Sequence, residues 1–307
     1  MKLVECVLNI SEGRDLSRID RISGAAGNVS GCHVLDVHSD CDHHRSVLTL
    51  VGEPGALVEG VLRASRTAVE LIDLRHHRGV HPRIGAVDVV PFIPLAGLTM
   101  EECAGLARHF GARIARELEL PVFLYEAASL GPERISLPEV RRGGLETLFH
   151  PVGSGDFRRR PDFGPHARHG TAGAVAVGAR EILIAFNVLL ASPELAIARF
   201  IARQIRESNG GLHAVRALGV YLESCNRAQV SMNLTDYRRT SPLQVFEAIR
   251  REAALTETVV ESSELVGLAP RAALPADPAA DLLLKDFGPD RILEVRVREE
   301  AGVELQL

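Results

Sequence analysis

Residues 79–94 read GVHPRIGAVDVVPFIP, a histidine-bearing loop followed directly by a long apolar run. The apolar run over 86–93 predicts a buried strand. Just before it, Pro82 fixes its own φ and disfavours the α conformation at His81, which predicts an extended backbone there. Gly85 allows backbone or ligand to approach closely. The pattern makes His81 a candidate general acid–base group on a rigid scaffold, with a purely structural histidine as the alternative.

The predicted helices and strands follow the same order in both halves of the chain. In the first half, apolar spacing predicts a β-α-β-β-α-β run with strands at 3–10, 33–37, 46–51 and 86–93 and helices at 15–26 and 53–74. A helix at 99–118 and a strand at 122–125 follow. The second half repeats the order, with a first strand at 182–190, alone or joined to 174–177, helices at 192–207 and 243–254, and strands at 214–222, 228–234 and 264–268. A short helix at 279–284 and an edge strand at 291–297 are predicted after it.

The repeated order indicates the α+β class, with two ferredoxin-like (βαββαβ) α/β sandwich subdomains. We expect the first subdomain over 1–172 and the second over 173–307. The first includes a connector at about 127–172 that is rich in Gly, Pro and Arg and lacks sustained periodicity. A connector of that length is usually functional or disordered. Since ligand sites favour domain interfaces, a ligand cleft or tunnel is expected between the two halves.

The overall composition excludes several classes of protein. The 307 residues are 46% hydrophobic and 24% charged, with a net charge of −5, as in a soluble globular protein. A negative balance without a basic, aromatic-rich stripe argues against nucleic acid as a partner. No apolar run reaches the roughly 18 residues of a membrane span, and no signal-type apolar region follows the N-terminus. Five scattered cysteines form neither a disulfide framework nor a CxxC pair, so a cytoplasmic protein is expected.

A dense polar loop occupies residues 36–45, which read DVHSDCDHHR. Three interpretations are open. His38, Asp40 and His44 could ligate zinc or another divalent transition ion. The loop could equally be a polar hairpin turn, or a substrate-binding loop beside His81. A metal is the least favoured of the three, because the residues follow no fixed spacing on a regular element.

Two arginine-bearing segments could bind anions. Arg83 offers a planar fork for a carboxylate. Residues 157–171 read FRRRPDFGPHARHGT, in which the Arg and His content suits carboxylates and Phe163 can stack on a flat ring. A basic surface linker is the alternative. No Walker A, GxGxxG, GxSxG or HExxH motif is present, so nucleotide binding and the corresponding hydrolase chemistries have no support.

Several segments together resemble the glutamate formiminotransferase family. They are residues 4–6 (VEC) with 9–13 (NISEG), 81–94, 161–165 (PDFGP), 185–187 (AFN) and 228–234 (AQVSMNL). The similarity spans about residues 3–268, with the segments in order. It implies a folate-dependent transferase that moves a formimino group from N-formimino-L-glutamate to N5 of tetrahydrofolate, its co-substrate. It also implies two ferredoxin-like subdomains and a homodimer.

The resemblance implies roles for individual residues. His81 matches the catalytic acid–base of the family. With it we expect Asp40, His44, Arg45 and Arg83 to bind substrate, since both substrates carry carboxylates. The folate-contacting segment matches ten residues, which are Pro161, Asp162, Phe163, Gly164, Pro165, His166, Ala167, Arg168, His169 and Gly170.

Two positions depart from the family pattern and leave alternatives open. His38 stands where the family has an acid, and Leu8 where it has a proline. An amidinium donor favours a carboxylate neighbour and a neutral amide does not, so transfer of a formyl group from N-formylglutamate is an alternative. A metal-dependent hydrolase using the His38–His44 loop and a folate-binding homologue without activity are the others. Without a cyclodeaminase domain in this sequence, a separate cyclodeaminase is expected to take the product.

Overall fold

The computed structural model describes residues 1–131, 136–149 and 160–307. Residues 157–159 of the arginine-rich segment lie outside this description. The chain forms two compact units, Met1–Arg180 and Glu181–Leu307, and each is built on its own β-sheet with helices packed against it. Within the described part of the chain, no helix combines the length and the apolar character that crossing a membrane requires.

The first unit follows the predicted β-α-β-β-α-β order and then extends it. Its first six elements are β1 (Leu3–Ile10), α1 (Leu16–Gly27), β2 (Cys32–Asp40), β3 (Arg45–Gly52), α2 (Pro54–Leu71) and β4 (Val87–Ala96). They are followed by α3 (Met100–Leu118), β5 (Val122–Glu126), α4 (Leu137–Val140), α5 (Gly144–Leu148) and β6 (Val175–Ala179). The six strands form one sheet in the order β2-β3-β1-β4-β6-β5, in which β6 is parallel to both β4 and β5.

Alternation along β1 decides which face of this sheet lies under the helices. The even-numbered residues from Val4 to Ile10 are fully buried and pack in one apolar cluster with residues of α2 and α3. Because successive side chains of a strand point to opposite faces, Glu5 and Asn9 lie on the other face. The sheet therefore has one apolar face under the helices and a second, partly polar face.

The connector is more regular than its composition suggests. Its described part contains α4 and α5, whose residues Val140 and Leu148 pack with Phe123 and Tyr125 on the second face of the sheet. The two helices have only four and five residues. Segments this short do not show helical periodicity, which is why the sequence did not predict them.

The second unit also shows the predicted β-α-β-β-α-β order. Its elements are β7 (Ile184–Leu190), α6 (Leu195–Ile205), β8 (Val215–Leu222), β9 (Arg227–Leu234), α7 (Pro242–Leu255) and β10 (Val260–Val266). The strands form an antiparallel sheet in the order β10-β7-β9-β8. Residues 175–177 fall in β6 of the first sheet, so the segment that the sequence left as one strand or two is two strands in separate sheets. Two more helices, α8 (Pro278–Asp281) and α9 (Leu293–Ala301), follow β10.

The edge strand predicted at 291–297 is wrong, because α9 covers most of that range. Alternating apolar residues suggested a strand, but the buried positions are Leu293 and Val297, which are four residues apart. Arg296 forms ion pairs with Glu299 at 2.9 Å and with Glu300 at 2.8 Å. Pairs at these spacings stabilise a helix, and here they outweigh the strand pattern.

Gly85 fixes the loop that precedes β4. The chain on either side of it pairs with the segment before β6, since Ala174 donates its N–H to the carbonyl of Ile84 at 2.9 Å. Ala86 in turn donates to the carbonyl of Ala172 at 2.9 Å. A Cβ on Gly85 would collide with the backbone carbonyl of Ala174, so the predicted close approach at this glycine is confirmed.

Candidate active site

Asp88 is the buried charge around which the site is built. It lies fully buried in β4. One carboxylate oxygen accepts the N–H of Ile84 at 2.7 Å, and the other accepts hydrogen bonds from Nη1 of Arg45 at 2.5 Å and Nη2 of Arg141. Burial raises the pKa of Asp88, but the charges of Arg141 and Arg45 lower it further, so this pKa lies well below its usual range. Asp88 is therefore ionised at neutral pH.

Two guanidinium groups share the single negative charge of Asp88, which leaves this cluster with an excess positive charge. Arg45, the first residue of β3, is also held by the side-chain oxygen of Asn9, which accepts from Nε at 3.1 Å and from Nη2 at 2.7 Å. Arg141 follows α4 and its side chain is 14% exposed. Contacts inside the protein thus engage three of the five N–H groups of Arg45. Its predicted role in binding substrate stays a prediction.

The imidazole of His81 has one nitrogen bound to the backbone. Its Nδ1 lies 2.8 Å from the carbonyl oxygen of Pro82. Because a carbonyl can only accept, Nδ1 carries the hydrogen of the neutral ring, and Nε2 keeps its lone pair. The ring stacks on that of His43, with centroids 5.7 Å apart and an angle of 28° between the planes.

The surroundings of His81 favour its neutral form. Burial, followed by the positive charges of Arg45 and Arg141, holds the pKa of His81 well below its usual range, and the opposite effect of Asp88 is smaller. The ring is therefore neutral at pH 7, and its Nε2 can accept a proton.

The polar loop between β2 and β3 is held by its own side chains. Asp40 accepts the backbone N–H of His43 at 2.7 Å, as in a polar turn. His44 has a left-handed backbone, with φ of 49°. Its Nδ1 lies 2.9 Å from the carbonyl oxygen of Arg78 and its Nε2 lies 3.2 Å from Oε1 of Glu12. In the described ranges, no group of three or more His, Cys, Asp or Glu side chains is placed to hold a metal ion.

Glu12 and His77 both contact His44 in this loop. Oε1 of Glu12 accepts three successive backbone N–H groups, from residues 13–15, at 3.0, 3.0 and 3.1 Å. Burial raises the pKa of Glu12, but these hydrogen bonds outweigh it, and the pKa lies below its ordinary value. His77 stacks on His44 at 4.2 Å and lies 2.8 Å through Nε2 from the carbonyl oxygen of that residue. Burial lowers the pKa of His77 to about 4. The loop is thus pre-formed by buried polar contacts.

Arg83 presents an unused hydrogen-bond donor. Its Nε is buried and has no hydrogen-bond partner in the described structure. A buried N–H without an acceptor costs about 1–3 kcal/mol. The guanidinium therefore has a donor available for a ligand carboxylate, and its predicted role in binding substrate stays a prediction.

The predicted folate segment divides into an anchored part and an exposed part. Asp162 donates its backbone N–H to the carbonyl of Val122 at 2.8 Å, and its side chain accepts the N–H of Leu124 at 2.7 Å. Phe163 is partly buried and packs against the apolar cluster under the helices, and its predicted stacking on a flat ring stays a prediction. Residues 164–168 are exposed.

Polar side chains buried or half-buried in the strands of both sheets were not among the candidate site residues that the sequence singled out. Burial raises the pKa of Glu5 to about 7, against the opposing charge of Arg180. In the second unit, Glu264 accepts hydrogen bonds from Asn187 at 2.8 Å and Gln229 at 3.3 Å. The available signal was a polar residue at alternate positions of otherwise apolar strands.

The strand directions place most of the predicted site residues at one end of the first sheet. β4, β6 and β5 are parallel, so their first residues lie at the same end, and the antiparallel β1 places Asn9 there as well. His81 and His44 lie in loops at this end, where β2 also ends at Asp40 and β3 begins at Arg45. The anchored residues 161–163 lie beside the start of β5. β5 is two strands from β4, which corresponds to about 10 Å.

Comparison with known proteins agrees with the resemblance read from the sequence. Residues 3–180 match the family model of the formiminotransferase domain, N-terminal subdomain, and residues 185–286 match that of the formiminotransferase domain. The chain is 41% identical over 304 residues to glutamate formimidoyltransferase of Thermoplasma acidophilum. This alignment covers 99% of this chain and 100% of that protein.

Two further relatives extend the comparison. Glutamate formimidoyltransferase of Streptococcus pyogenes serotype M1 is 42% identical over 286 residues, 93% of this chain and 95% of that protein. Formimidoyltransferase-cyclodeaminase of Mus musculus is 46% identical over 279 residues, 89% of this chain and 51% of that protein, so the chain spans about half the length of this relative. The matches cover both units of the fold, and the chain belongs to the formiminotransferase family.

Proposed function

We propose that this protein transfers the formimino group from N-formimino-L-glutamate to N5 of tetrahydrofolate, giving 5-formiminotetrahydrofolate and L-glutamate. The observation that carries the proposal is the identity of 41% with a glutamate formimidoyltransferase over 99% of the chain. The neutral imidazole of His81 can act as the general acid–base group that the reaction needs.

His81 moves one proton in this reaction. As N5 of tetrahydrofolate attacks the formimino carbon, Nε2 of the neutral ring accepts the proton that N5 loses. The imidazolium then returns this proton to the departing nitrogen of glutamate, so the proton count balances. The lowered pKa keeps the resting ring neutral and makes the imidazolium a stronger acid for the second step, whereas the neutral ring is a weaker base for the first step. A proton carrier in position contributes about 10²–10⁴-fold to the rate.

Positive groups near His81 account for the binding of anionic substrates. We infer that Arg83, with its unbonded Nε, and Arg45, in the cluster with an excess positive charge, receive substrate carboxylates. For Asp40 and His44, the contacts within the loop support a role in shaping the substrate-binding surface.

The remaining proposals concern the folate segment, the fold and the assembly. Residues 161–170 bind tetrahydrofolate, with the anchored part positioning the exposed part. The sheet orders β2-β3-β1-β4 and β10-β7-β9-β8 support two ferredoxin-like sandwiches. Family membership supports a cytoplasmic homodimer.

A donor comparison tests the proposed reaction. The purified protein is incubated with tetrahydrofolate and either N-formimino-L-glutamate or N-formylglutamate, and released glutamate and modified folate are quantified by mass spectrometry. We expect equal amounts of glutamate and 5-formiminotetrahydrofolate from the first donor, and much slower release from the second. Faster turnover of N-formylglutamate would contradict the proposal. So would thermal stabilisation by folate without turnover of either donor.

A further inference from the structure

Arg141 has no place in the mechanism so far, although it binds the same buried carboxylate as Arg45. Its Nη2 donates to Asp88, and its Nε is buried without a hydrogen-bond partner in the ranges that the structure covers. Burying a guanidinium is costly unless a counter-charge compensates it. Asp88 carries one negative charge and faces two guanidiniums, so one positive charge of the pair is in excess.

We propose that Arg141 is a positioning residue for the formimino transfer: through Asp88 it fixes the loop that carries His81, and it adds a positive charge that acts on this imidazole. The inference rests on the function proposed above. It assigns a role to a part of the connector that the family resemblance left without one.

The geometric link runs through the carboxylate. Asp88 accepts the N–H of Ile84 at 2.7 Å through the oxygen that Arg141 leaves free. Ile84 lies three residues after His81, and the carbonyl of the intervening Pro82 lies 2.8 Å from Nδ1 of His81. The group that Arg141 binds is therefore also the group that anchors the catalytic loop.

The largest charge effects on His81 come from four groups, each on a different element: Arg45 of β3, Arg141 after α4, His43 of the loop between β2 and β3, and Asp88 of β4. Of these four, only Asp88 favours the imidazolium. Replacing Arg141 by a neutral residue removes one positive charge and leaves Asp88 less neutralised, and both changes favour protonation of His81.

The test is an NMR titration of the histidine ring signals in the full-length protein. The wild type is compared with Arg141→Gln, Arg141→Lys and Arg142→Gln, and the His81 signal is assigned with His81→Asn. Arg142 is the matched control, because it is the neighbouring arginine and is exposed. We expect His81 to titrate at higher pH in Arg141→Gln, and close to wild type in Arg142→Gln. In Arg141→Lys, which keeps the charge, it stays well below the ordinary range of histidine.

Turnover gives a second readout. The acid limb of the kcat/KM profile should move to higher pH in Arg141→Gln, with about tenfold loss for each pH unit below the limb. An unchanged His81 titration in Arg141→Gln, or an equal change in Arg142→Gln, would overturn the inference. If Arg141→Gln does not fold, ordinary titration of His81 in a folded Arg141→Lys would overturn it. Absence of turnover in the wild type would refute the proposed function alone, since the ring titration is independent of activity.

Discussion

Replacing Asp88 by Asn removes the charge that two buried guanidiniums share. Asn has almost the same shape and retains an oxygen for the N–H of Ile84, so the change isolates the charge. Removing one partner of a buried ion pair costs about 3–5 kcal/mol, because the remaining charge is left buried without compensation. Domains are stable by only about 5–15 kcal/mol, so we expect a large fraction of the stability to be lost.

Urea unfolding followed by circular dichroism at pH 7 measures this loss. The pKa of Asp88 is lowered in the folded protein, so its stabilisation is present above about pH 4, its unfolded pKa, and is lost as the pH falls further. Asp88→Asn should lack this part of the acid dependence. Asp73→Asn is the control, since Asp73 pairs with the exposed Arg75 at the surface and its loss should matter little. A loss at Asp88→Asn no larger than at Asp73→Asn would refute the reasoning.

Two other substitutions test the packing of the first unit by the same unfolding assay. Glu5→Gln should stabilise the protein at pH 8 by up to about 3 kcal/mol and have no effect at pH 4. The reason is that the folded pKa of about 7 exceeds the ordinary glutamate pKa of 4.5, so ionisation of Glu5 opposes folding as the pH rises through this window. An equal effect at both pH values would contradict this. Gly85→Ala should destabilise by about 1–3 kcal/mol or more, because its Cβ meets backbone atoms of Ala174 and Val87. Gly105→Ala in α3 is the control, because the added Cβ there meets open space, and this substitution should stabilise the protein by about 0.5–1 kcal/mol. Loss of stability in Gly105→Ala, or no loss in Gly85→Ala, would contradict this reasoning.

The element order was predictable because most helices and strands each show the apolar periodicity of their own type. The fully buried even-numbered residues of β1 and the amphipathic helices α2 and α3 show the pattern that their burial requires. The prediction failed where two patterns compete or where an element is too short. In α9 the strand-like alternation lost to the helical spacing of Leu293 and Val297, and α4 and α5 are shorter than two turns.

The site was predictable only in part. The position of His81 before a buried strand follows from local sequence and the family resemblance. Its protonation does not, because it depends first on burial and then on the charges of Arg45 and Arg141, which are distant in the chain. Asp88 within an apolar run signalled a buried charge that must be paired, but no local pattern identifies a partner 53 residues away. Such contacts are set by the sheet order.

The most direct test of the central claim is the turnover number of a His81→Asn variant with tetrahydrofolate and N-formimino-L-glutamate. His76→Asn is the matched control, because this side chain is 84% exposed on the same loop region. The account predicts that kcat falls by about 10²–10⁴-fold in His81→Asn, with folded structure retained, and stays near wild type in His76→Asn. A folded His81→Asn protein with wild-type kcat would contradict the role of His81 as the proton carrier.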